Sequence, residues 1–302
     1  MRTPETVVSA LRARGELWDV APGVVGLRGG ALALLRRLER DITQLVQREA
    51  PDEWATPPAL AMRTLERAEY FSSFPFWLTA AYHLPDDDMT LERIATDVEP
   101  VLAATAGAIC TDVALPPALC YHVFERLAGQ RLTTMQSVTL VGTCWRHEGE
   151  RLSALERQWA FTMREIVCVG TASEIEDFRQ RWMRFAGSLA ARLDLDAGFL
   201  VATDPFFAPT ARGKAIVQRV KGLKHELALP LGPERSTAAA SFNNHEQFFG
   251  EAFGITLESG EPASSGCVAF GLERWLLAFL VAHGVESEGW PAPDGTFAET
   301  ES

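Results

Sequence analysis

The order of strand-like and helix-like segments is what most constrains the fold of this chain. Four runs have the β-branched and apolar composition of strands: SVTLVGT (137–143), REIVCVG (164–170), GFLVAT (198–203) and KHELALPL (224–231). They do not alternate regularly with helices, as the strands of a doubly wound parallel sheet do. We therefore predict an α+β fold with a largely antiparallel sheet and helices flanking it.

Four segments are predicted to be helices: residues 31–50, 88–107, 172–193 and 266–284. In the first segment, Leu38, Ile42 and Leu45 recur at the spacing of one helix face. The prolines that follow it end this helix, because proline cannot continue a helix interior. The last segment is mostly apolar and has glycine on either side, which predicts a buried closing helix.

The chain has 302 residues, enough for one large domain or two smaller ones. Residues 1–30 carry a weak mixed pattern and stay unassigned. We predict one main domain over residues 31–285, with a basic helical insertion near 208–222. Residues 286–302 are polar, acidic and proline-containing, which predicts a flexible tail.

Charge and cysteine content limit the classes of function. The net charge is −12, whereas nucleic acids bind basic surfaces, so a nucleic-acid partner is not expected. The five cysteines are odd in number and scattered, which indicates no disulfide framework. No apolar run approaches the roughly 18–20 residues of a membrane span, and the N-terminus lacks a signal-peptide pattern. We therefore predict a cytoplasmic protein without a membrane partner.

The stretch CWRHEGERLSALERQWAFTMREI (144–166) is the most informative part of the sequence. It spaces two cations, two acids and an aromatic residue regularly: Arg146, Glu148, Arg157, Phe161 and Glu165. Taken singly, each has an ordinary explanation. An R-x-E pair on a strand is usually an ion pair on a solvated face, and a phenylalanine is usually core. These residues become informative when they are considered together with a second stretch, GLERW (271–275), which follows much later in the chain.

This order resembles motifs 2 and 3 of class II aminoacyl-tRNA synthetases, and it is most similar to their seryl branch. The helix at 31–50, with Pro57 at the place of the motif proline, is similar to motif 1. Within that superfamily the chain resembles the amino acid:[carrier protein] ligases, truncated homologues of an atypical zinc-dependent seryl-tRNA synthetase. Six stretches in order support this: YFSSFP (70–75), LPPALCYHVF (115–124), ATDPFF (202–207), LKHELALP (223–230), SFNNHEQFFG (241–250) and SGCVAFGLERW (265–275).

The resemblance implies a class II synthetase-like antiparallel sheet flanked by helices, and an ATP site within it. Adenylation joins a carboxylate to the α-phosphorus of ATP and expels diphosphate, so fixed cations stabilise the phosphates. Arg146 would contact the α-phosphate and Arg274 the γ-phosphate. Phe161 would stack under adenine, with Arg274 covering the other side of the ring. With Glu148, the two arginines are the implied catalytic residues. The implied nucleotide set is Arg146, Glu148, Leu155, Glu156, Phe161, Lys224, Ala238, Ala239, Ala240, Ser241 and Arg274.

The resemblance also implies metals and a substrate pocket. Cys120, Glu165 and Cys267 match the three zinc ligands of the carrier-protein ligases, although their spacing alone gives no support to a metal site. Two thiolates and a carboxylate leave tetrahedral Zn²⁺ a fourth position for the α-amino group of the substrate. Glu148 and Glu165 are the implied substrate-binding residues. The Mg²⁺ ligand is left unassigned. Seryl-type enzymes carry a metal-binding glutamate in this region, where Ser236 stands near the aligned position and Glu234 is the nearest acid.

The molecule that accepts the activated aminoacyl group is predicted from the segments and charges of the chain. No heptad arm precedes motif 1 and no anticodon-type domain follows motif 3, which with the acidic charge argues against tRNA. Residues 210–225 carry lysines and arginines without an acid, although the chain as a whole is acidic. This predicted basic helix is either a solvated face or a docking site for an acidic carrier protein with a phosphopantetheine arm. The docking residues would be Arg212, Lys214, Arg219 and Lys221. Motif 1 implies a homodimer.

We therefore expect an ATP-dependent ligase that activates a small amino acid and transfers it to a carrier-protein thiol. The resemblance implies glycine or alanine as the small substrate, but this is only a first guess, because Asn244 stands where an aromatic residue is expected and this pocket position affects substrate choice. Two alternatives stay open: a truncated synthetase that aminoacylates an RNA, and a catalytically silent binding module. Adenylation needs no histidine base, so His147, His225 and His245 are given no catalytic role.

Overall fold

A computed structural model describes residues 2–49 and 51–291, apart from the side chains of residues 208–210, 212 and 289. Its helices are α1 Pro4–Ala13, α2 Gly29–Arg48, α3 Met62–Arg67, α4 Tyr70–Ser73, α5 Asp88–Thr96, α6 Pro100–Gly107, α7 Cys120–Leu127, α8 Ala172–Arg192, α9 Ala208–Val220, α10 Phe248–Phe253 and α11 Leu272–His283. Residues 292–302, most of the predicted tail, lie outside the described part of the chain.

The strands are β1 Leu17–Ala21, β2 Val24–Leu27, β3 Asp52–Glu53, β4 Leu60–Ala61, β5 Thr79–His83, β6 Ile109–Leu115, β7 Arg131–Leu132, β8 Gln136–Trp145, β9 Ala160–Gly170, β10 Gly198–Val201, β11 Lys224–Gly232, β12 Arg235–Glu246, β13 Thr256–Leu257 and β14 Ser264–Gly271. Seven of them form the main sheet, in the order β10-β11-β12-β14-β9-β8-β3. Only β3 runs parallel to its neighbour in this sheet. The predicted α+β fold with a largely antiparallel sheet is confirmed.

The main sheet separates two apolar cores, because successive strand residues point to opposite faces. On β9, Ile166 and Cys168 pack with α2, α8 and α11, whereas Val167 and Val169 pack on the opposite side with α7 and α10. Strands buried on both faces carry continuous apolar runs, which is why the sequence pattern located β8 and β9. Each large side chain buried here contributes on the order of 1.5–3 kcal/mol.

Two of the four helix predictions need correction. Residues 88–107 form α5 and α6 rather than one helix, since Asp97 is extended after α5 and Pro100 begins a new helix. Residues 266–284 divide into strand β14 and helix α11. The strand half pairs with β9 on one side and β12 on the other. An apolar run does not distinguish a buried strand from a buried helix, so the neighbouring strands decide.

The sequence pattern missed β12, which lies near the centre of the main sheet. Its sequence RSTAAASFNNHE is poor in β-branched and aromatic residues and so has low strand propensity. Pairing with β11 and β14 on its two edges overrides that propensity. The strand carries Ala238–Ser241 and the residues that follow them into the site.

Within the unassigned N-terminal segment, residues 4–27 form α1 and the β1–β2 hairpin and share a core with α11. Gly23, at the hairpin turn, accepts hydrogen bonds from the backbone N–H groups of Trp159 (2.8 Å) and Ala160 (3.3 Å). Its φ is +71°, and a Cβ at this position would lie 2.9 Å from the Trp159 nitrogen. Glycine is therefore required where the N-terminal segment meets the loop between β8 and β9.

Candidate active site

The hairpin formed by β8 and β9 positions the first arginine of the site. Arg146 follows the last residue of β8, and its Nε donates to the carbonyl of Pro117 at 2.7 Å. Its guanidinium carbon lies 5.1 Å from the ring centre of Trp77 and 5.4 Å from that of Phe161. Two aromatic faces and a carbonyl therefore hold this cation half-buried and fixed in direction, as electrostatic catalysis requires.

The loop between these strands turns back sharply. Leu155 is buried with φ of +65°, a conformation that non-glycine residues adopt only where the structure holds them. The side chain of Gln158 holds it here by accepting from the Leu155 N–H at 2.8 Å. Glu148 pairs with Arg157 at 2.8 Å. The sequence alone gave Arg157 no role, and the structure places it as the partner that orients Glu148.

The second arginine comes from the first turn of α11. Arg274 donates from Nε to the carbonyl of Glu156 at 2.8 Å and from Nη1 to that of Ala238 at 2.9 Å. Its neighbour Glu273 turns inward instead, and both carboxylate oxygens lie 2.9 Å from the Thr162 nitrogen. Burial raises the pKa of Glu273 to about 7. Through its bonds to Glu156 and Ala238, Arg274 joins the β8–β9 loop to β12.

These residues line one cleft. The structure brings together in its wall every residue predicted for the nucleotide: Arg146, Glu148, Leu155, Glu156, Phe161, Lys224, Ala238, Ala239, Ala240, Ser241 and Arg274. It adds residues that the sequence did not indicate: Gln158, Met163, Glu226, Ala269, Gly271 and Glu273. The small side chains of Ala238–Ala240 leave the cleft open, which explains a strand built from poor strand formers.

A buried lysine continues the cleft inward. Lys224 Nζ lies 2.5 Å from Asp204 and 3.1 Å from Glu226. Burial opposes its charge, but these two carboxylates more than compensate, and the net pKa of Lys224 is raised. Glu226 pairs with Ser241 across β11 and β12 and lines the cleft. Glu234 and Ser236, the acid and hydroxyl considered for magnesium, are exposed near the β11–β12 turn and do not line it.

A second, larger cavity adjoins the first. Five residues belong to both walls: Arg146, Met163, Lys224, Ser241 and Ala269. The inner cavity is rich in aromatic side chains, namely Tyr70, Phe74, Trp77, Tyr121, Phe206, Phe248 and Phe249. Arg146 therefore stands where a group bound in the inner cavity would meet a phosphate bound in the cleft.

Cys120, Glu165 and Cys267 come together in the wall of the inner cavity. They come from α7, β9 and β14, all three are buried, and one ligand atom from each lies within 4.8 Å of the others. Glu165 Oε2 accepts from the backbone N–H groups of Leu119 (2.8 Å) and Cys120 (3.0 Å), which fixes the carboxylate. Two sulfur donors and one oxygen at this separation fit a tetrahedral zinc ion with one position left for a ligand.

The electrostatics of this cluster favour a cation. Without a metal, the hydrogen bond between the two thiols and burial raise the pKa of Cys120, and the same bond lowers that of Cys267. Burial also raises the pKa of Glu165. Three acids thus compete for charge in an apolar setting, and binding of a divalent cation releases their protons. Cys110, Cys144 and Cys168 lie outside the described metal-ligand cluster.

Two residues of β12 surround Cys267, and the sequence assigned a role to neither. Asn243 Nδ2 lies 3.4 Å from the sulfur and His245 Nε2 lies 3.6 Å from it. Ser241, Asn243 and His245 all line the inner cavity. Their alternation in SFNNHE was the available signal, but it has meaning only once this segment is known to be a strand.

The basic helix α9 covers the inner cavity, but its cations differ in position. Lys214 lines the cavity and contacts Glu69 (2.6 Å) and Ser73 (3.1 Å). Lys221 pairs with Glu246 at 2.8 Å on the surface, and Arg219 is exposed. The side chain of Arg212 lies outside the described part of the chain. Of the predicted docking residues, Arg219 and Lys221 are those that the structure describes on the outer surface.

None of the helices within residues 2–49 and 51–291 is long and apolar enough to cross a bilayer. Comparison with protein-family models finds no match. The fold is similar to that of SerRS from M. kandleri, in its crystal structure with A. aeolicus tRNASec, with a TM-score of 0.86 and 19% identity over 97% of this chain and 60% of that one. The expected class II synthetase fold is confirmed, and the chain spans about 60% of that synthetase's length.

Two curated proteins of Bradyrhizobium diazoefficiens are more similar in sequence. The chain is 35% identical to amino acid--[acyl-carrier-protein] ligase 1 over 264 residues, which are 86% of this chain and 80% of that protein. It is also 35% identical to amino acid--[acyl-carrier-protein] ligase 2, over 78% of this chain and 71% of that one. At this identity and coverage the resemblance inferred from the motifs is confirmed, and the chain belongs to the amino acid--[acyl-carrier-protein] ligase family.

Proposed function

We propose that this protein activates a small amino acid with ATP and transfers the aminoacyl group to the phosphopantetheine thiol of a carrier protein. One observation carries the proposal: the nucleotide cleft and the cavity with the Cys–Glu–Cys cluster share a wall at Arg146. An amino acid held by its amine in the cavity would present its carboxylate to the α-phosphate of ATP at that wall. Family membership supports the same reaction.

The first step is adenylation. Phe161 and Arg274 bind the adenine ring between them, while Arg146 and Lys224 face the phosphates. A carboxylate oxygen of the amino acid attacks the α-phosphorus, and the bond to the bridging oxygen of diphosphate breaks. No proton needs to be removed, because the carboxylate is already ionised, and the cations stabilise charge that develops on the phosphates. Glu226, a cleft carboxylate on β11 beside Ser241, would hold Mg²⁺.

Cys120, Glu165 and Cys267 would hold zinc in the inner cavity. When bound, the ion supplies a Lewis-acidic position for an unprotonated α-amino group. The protein's own contribution is geometric: Glu165 is fixed by two backbone N–H groups, and the aromatic wall excludes water from the aminoacyl group. An amine close to a carboxylate is selected in this way, which favours an α-amino acid.

The second step transfers the aminoacyl group to a thiol. The thiolate sulfur attacks the carbonyl carbon of the adenylate, AMP leaves with the carboxyl oxygen, and a thioester forms. We place carrier docking on the outer face of α9, where Arg219 and Lys221 are joined by exposed Ile216 and Val220. Basic and apolar groups together suit an acidic carrier protein.

The docking assignment is tested by reversing charge on the outer face of α9. The double variant Arg219→Glu with Lys221→Glu should lose carrier loading and keep adenylation. Lys214 is left unchanged because it lines the inner cavity. Arg126→Glu, an exposed change on α7, is the matched control and should leave both reactions intact. Loss of adenylation together with loading, or loss of neither, contradicts docking at this face.

The reaction itself is tested by ATP–diphosphate exchange across a panel of amino acids, with metal-replete and chelator-stripped protein. We expect exchange with one small amino acid, and its loss on stripping. Exchange that survives stripping would refute the zinc assignment alone. If no amino acid supports exchange, adenylation is refuted and a silent binding module is favoured. Loading of RNA but not of carrier protein would favour the truncated synthetase.

We propose that the protein is a homodimer built on α2 and β3, because β3 is the exposed edge strand of the main sheet at the predicted motif 1. Light scattering tests this assembly.

We propose that the protein is located in the cytoplasm, where the thiols of Cys120 and Cys267 stay reduced. The division at residues 31 and 285, with the insertion at 208–222, is tested by limited proteolysis.

A further inference from the structure

His245 occupies a position that the proposed reaction does not use. The residue lies on β12, half-buried, and its ring packs edge-on against Phe249 (4.8 Å between centroids) and Phe124 (6.0 Å). Its two nitrogens face two residues of the adjacent strand β14. Nδ1 lies 3.1 Å from Ser265 Oγ and Nε2 lies 3.6 Å from Cys267 Sγ. The imidazole is therefore held on both sides and by two aromatic neighbours.

The hydrogen-bonding capacities of these groups fix where the ring proton lies. A metal-bound thiolate carries no proton and only accepts, so the nitrogen facing Cys267 must carry the hydrogen. The other nitrogen then accepts from the Ser265 hydroxyl, which can act as the donor. Ser265 is fully buried, and this bond satisfies its hydroxyl. One neutral tautomer of His245 thus satisfies all three groups when Cys267 is a metal ligand.

The two thiols of the cluster differ in this respect. Cys267 receives N–H groups from both His245 and Asn243, whereas the described side chains place no nitrogen donor of this kind on Cys120. Partners that orient a metal ligand and withdraw charge from it tune the affinity of the site, and their loss typically weakens metal binding by about 10–100-fold. The asymmetry indicates that β12 supports the cluster from one side.

We propose that His245 is a positioning residue for the metal centre: its Nε2–H donates to the thiolate of Cys267, and Ser265 fixes that tautomer. The inference rests on the zinc site of the proposed function and adds a residue to it. His245 itself does not contact the reacting atoms. It sets the direction and the electron density of one sulfur ligand, and so the strength with which the site holds its ion.

The test measures metal binding rather than turnover. His245→Phe keeps the aromatic packing against Phe124 and Phe249 but removes the donor, whereas His245→Gln keeps a side-chain N–H of similar reach. We expect the Kd for zinc, measured by competition with a chromophoric chelator, to rise about 10–100-fold in His245→Phe. His245→Gln should recover most of that loss. His283→Phe, a matched change on α11 that removes a contact to the Leu193 carbonyl, should bind zinc as the wild type does.

Cobalt substitution gives a spectroscopic readout that a merely structural role would not change. An N–H bond to a thiolate stabilises the sulfur lone pairs, so its loss should move the sulfur-to-cobalt charge-transfer band to longer wavelength in His245→Phe and much less in His245→Gln. Wild-type affinity and an unshifted band in His245→Phe would overturn the proposal. Equal losses in both variants would overturn it too, because packing would then be the cause. Wild-type protein that binds no zinc would refute the metal site itself, a separate result.

Discussion

The nucleotide cleft and the inner cavity share a wall but are built in different ways. In the cleft, most polar groups come from two sequence motifs, and its arginines are fixed by backbone carbonyls, as Arg146 is by Pro117 and Arg274 by Ala238. The inner cavity draws its wall from short segments spread between residues 68 and 269. A site made of local motifs is recognisable in sequence, whereas one assembled by packing is recognisable only through resemblance to a family, because its residues share no spacing. The variants below separate the two regions or show that they act as one.

Arg146→Ala should have the largest effect, because this residue belongs to both regions. Removing one preorganised charge from a developing transition state typically costs about 10²–10³-fold in rate. We expect at least that loss in amino-acid-dependent ATP–diphosphate exchange, even with both substrates saturating. Arg157→Ala, which removes a more exposed guanidinium paired with Glu148, should cost less than about tenfold. Exchange by Arg146→Ala within tenfold of wild type would break the assignment of the shared wall.

Cys267→Ala and Arg274→Ala should give opposite results. The first removes a proposed zinc ligand, and we expect bound zinc, measured by elemental analysis, to be lost while ATP binding is retained. The second removes a cation of the cleft, and ATP affinity, measured by calorimetry, should fall while bound zinc stays at its wild-type level. If either change impaired both properties, the cleft and the cavity would be one cooperative unit rather than two adjoining sites.

Glu273→Gln tests the buried acid behind the cleft. The pKa of Glu273 is raised from 4.5 to about 7 in the folded protein, so the folded state keeps a proton that the unfolded state releases. Its contribution to stability is complete below pH 4.5 and is lost as pH rises to about 7. Relative to the variant, the wild type should lose roughly 3 kcal/mol over this range, since one pKa unit corresponds to ~1.4 kcal/mol. Urea denaturation at several pH values measures the difference, and parallel pH profiles would refute it.

Arg235→Ala should have the smallest effect. Arg235 joins Glu5 of α1 to Glu156 of the cleft, and exposed ion pairs contribute little. We expect the KM for ATP to rise about two- to fivefold, with the KM for the amino acid unchanged. Arg14→Ala is the matched control, because Arg14 also bridges two glutamates, Glu16 and Glu286, but away from the cleft. An equal change in both variants would mean that the N-terminal segment acts through overall stability.

Sequence patterns predicted the strands β8 and β9 because strands buried on both faces carry continuous apolar runs. They did not predict β12, whose alanines, serines and asparagines disfavour a strand in isolation. The same difference separates the site residues. Arg146 and Arg274 lie in recognisable motifs. His245 was given no catalytic role because adenylation needs no histidine base, and its partners Ser265 and Cys267 lie twenty and more positions away in the chain.

The sequence by itself determined the class of fold and the family, because periodicity and ordered motifs carry both. Through the resemblance it also named eleven residues that line the cleft, but not Gln158 or Glu226. Tertiary structure decided how Cys120, Glu165 and Cys267 meet, because residues on α7, β9 and β14 are brought together only by sheet pairing and core packing; in the sequence only the family resemblance grouped them. It also decided which cations of α9 face outward. Lys214 is turned inward by its contacts with Glu69 and Ser73, and the charge pattern of the sequence does not predict these contacts.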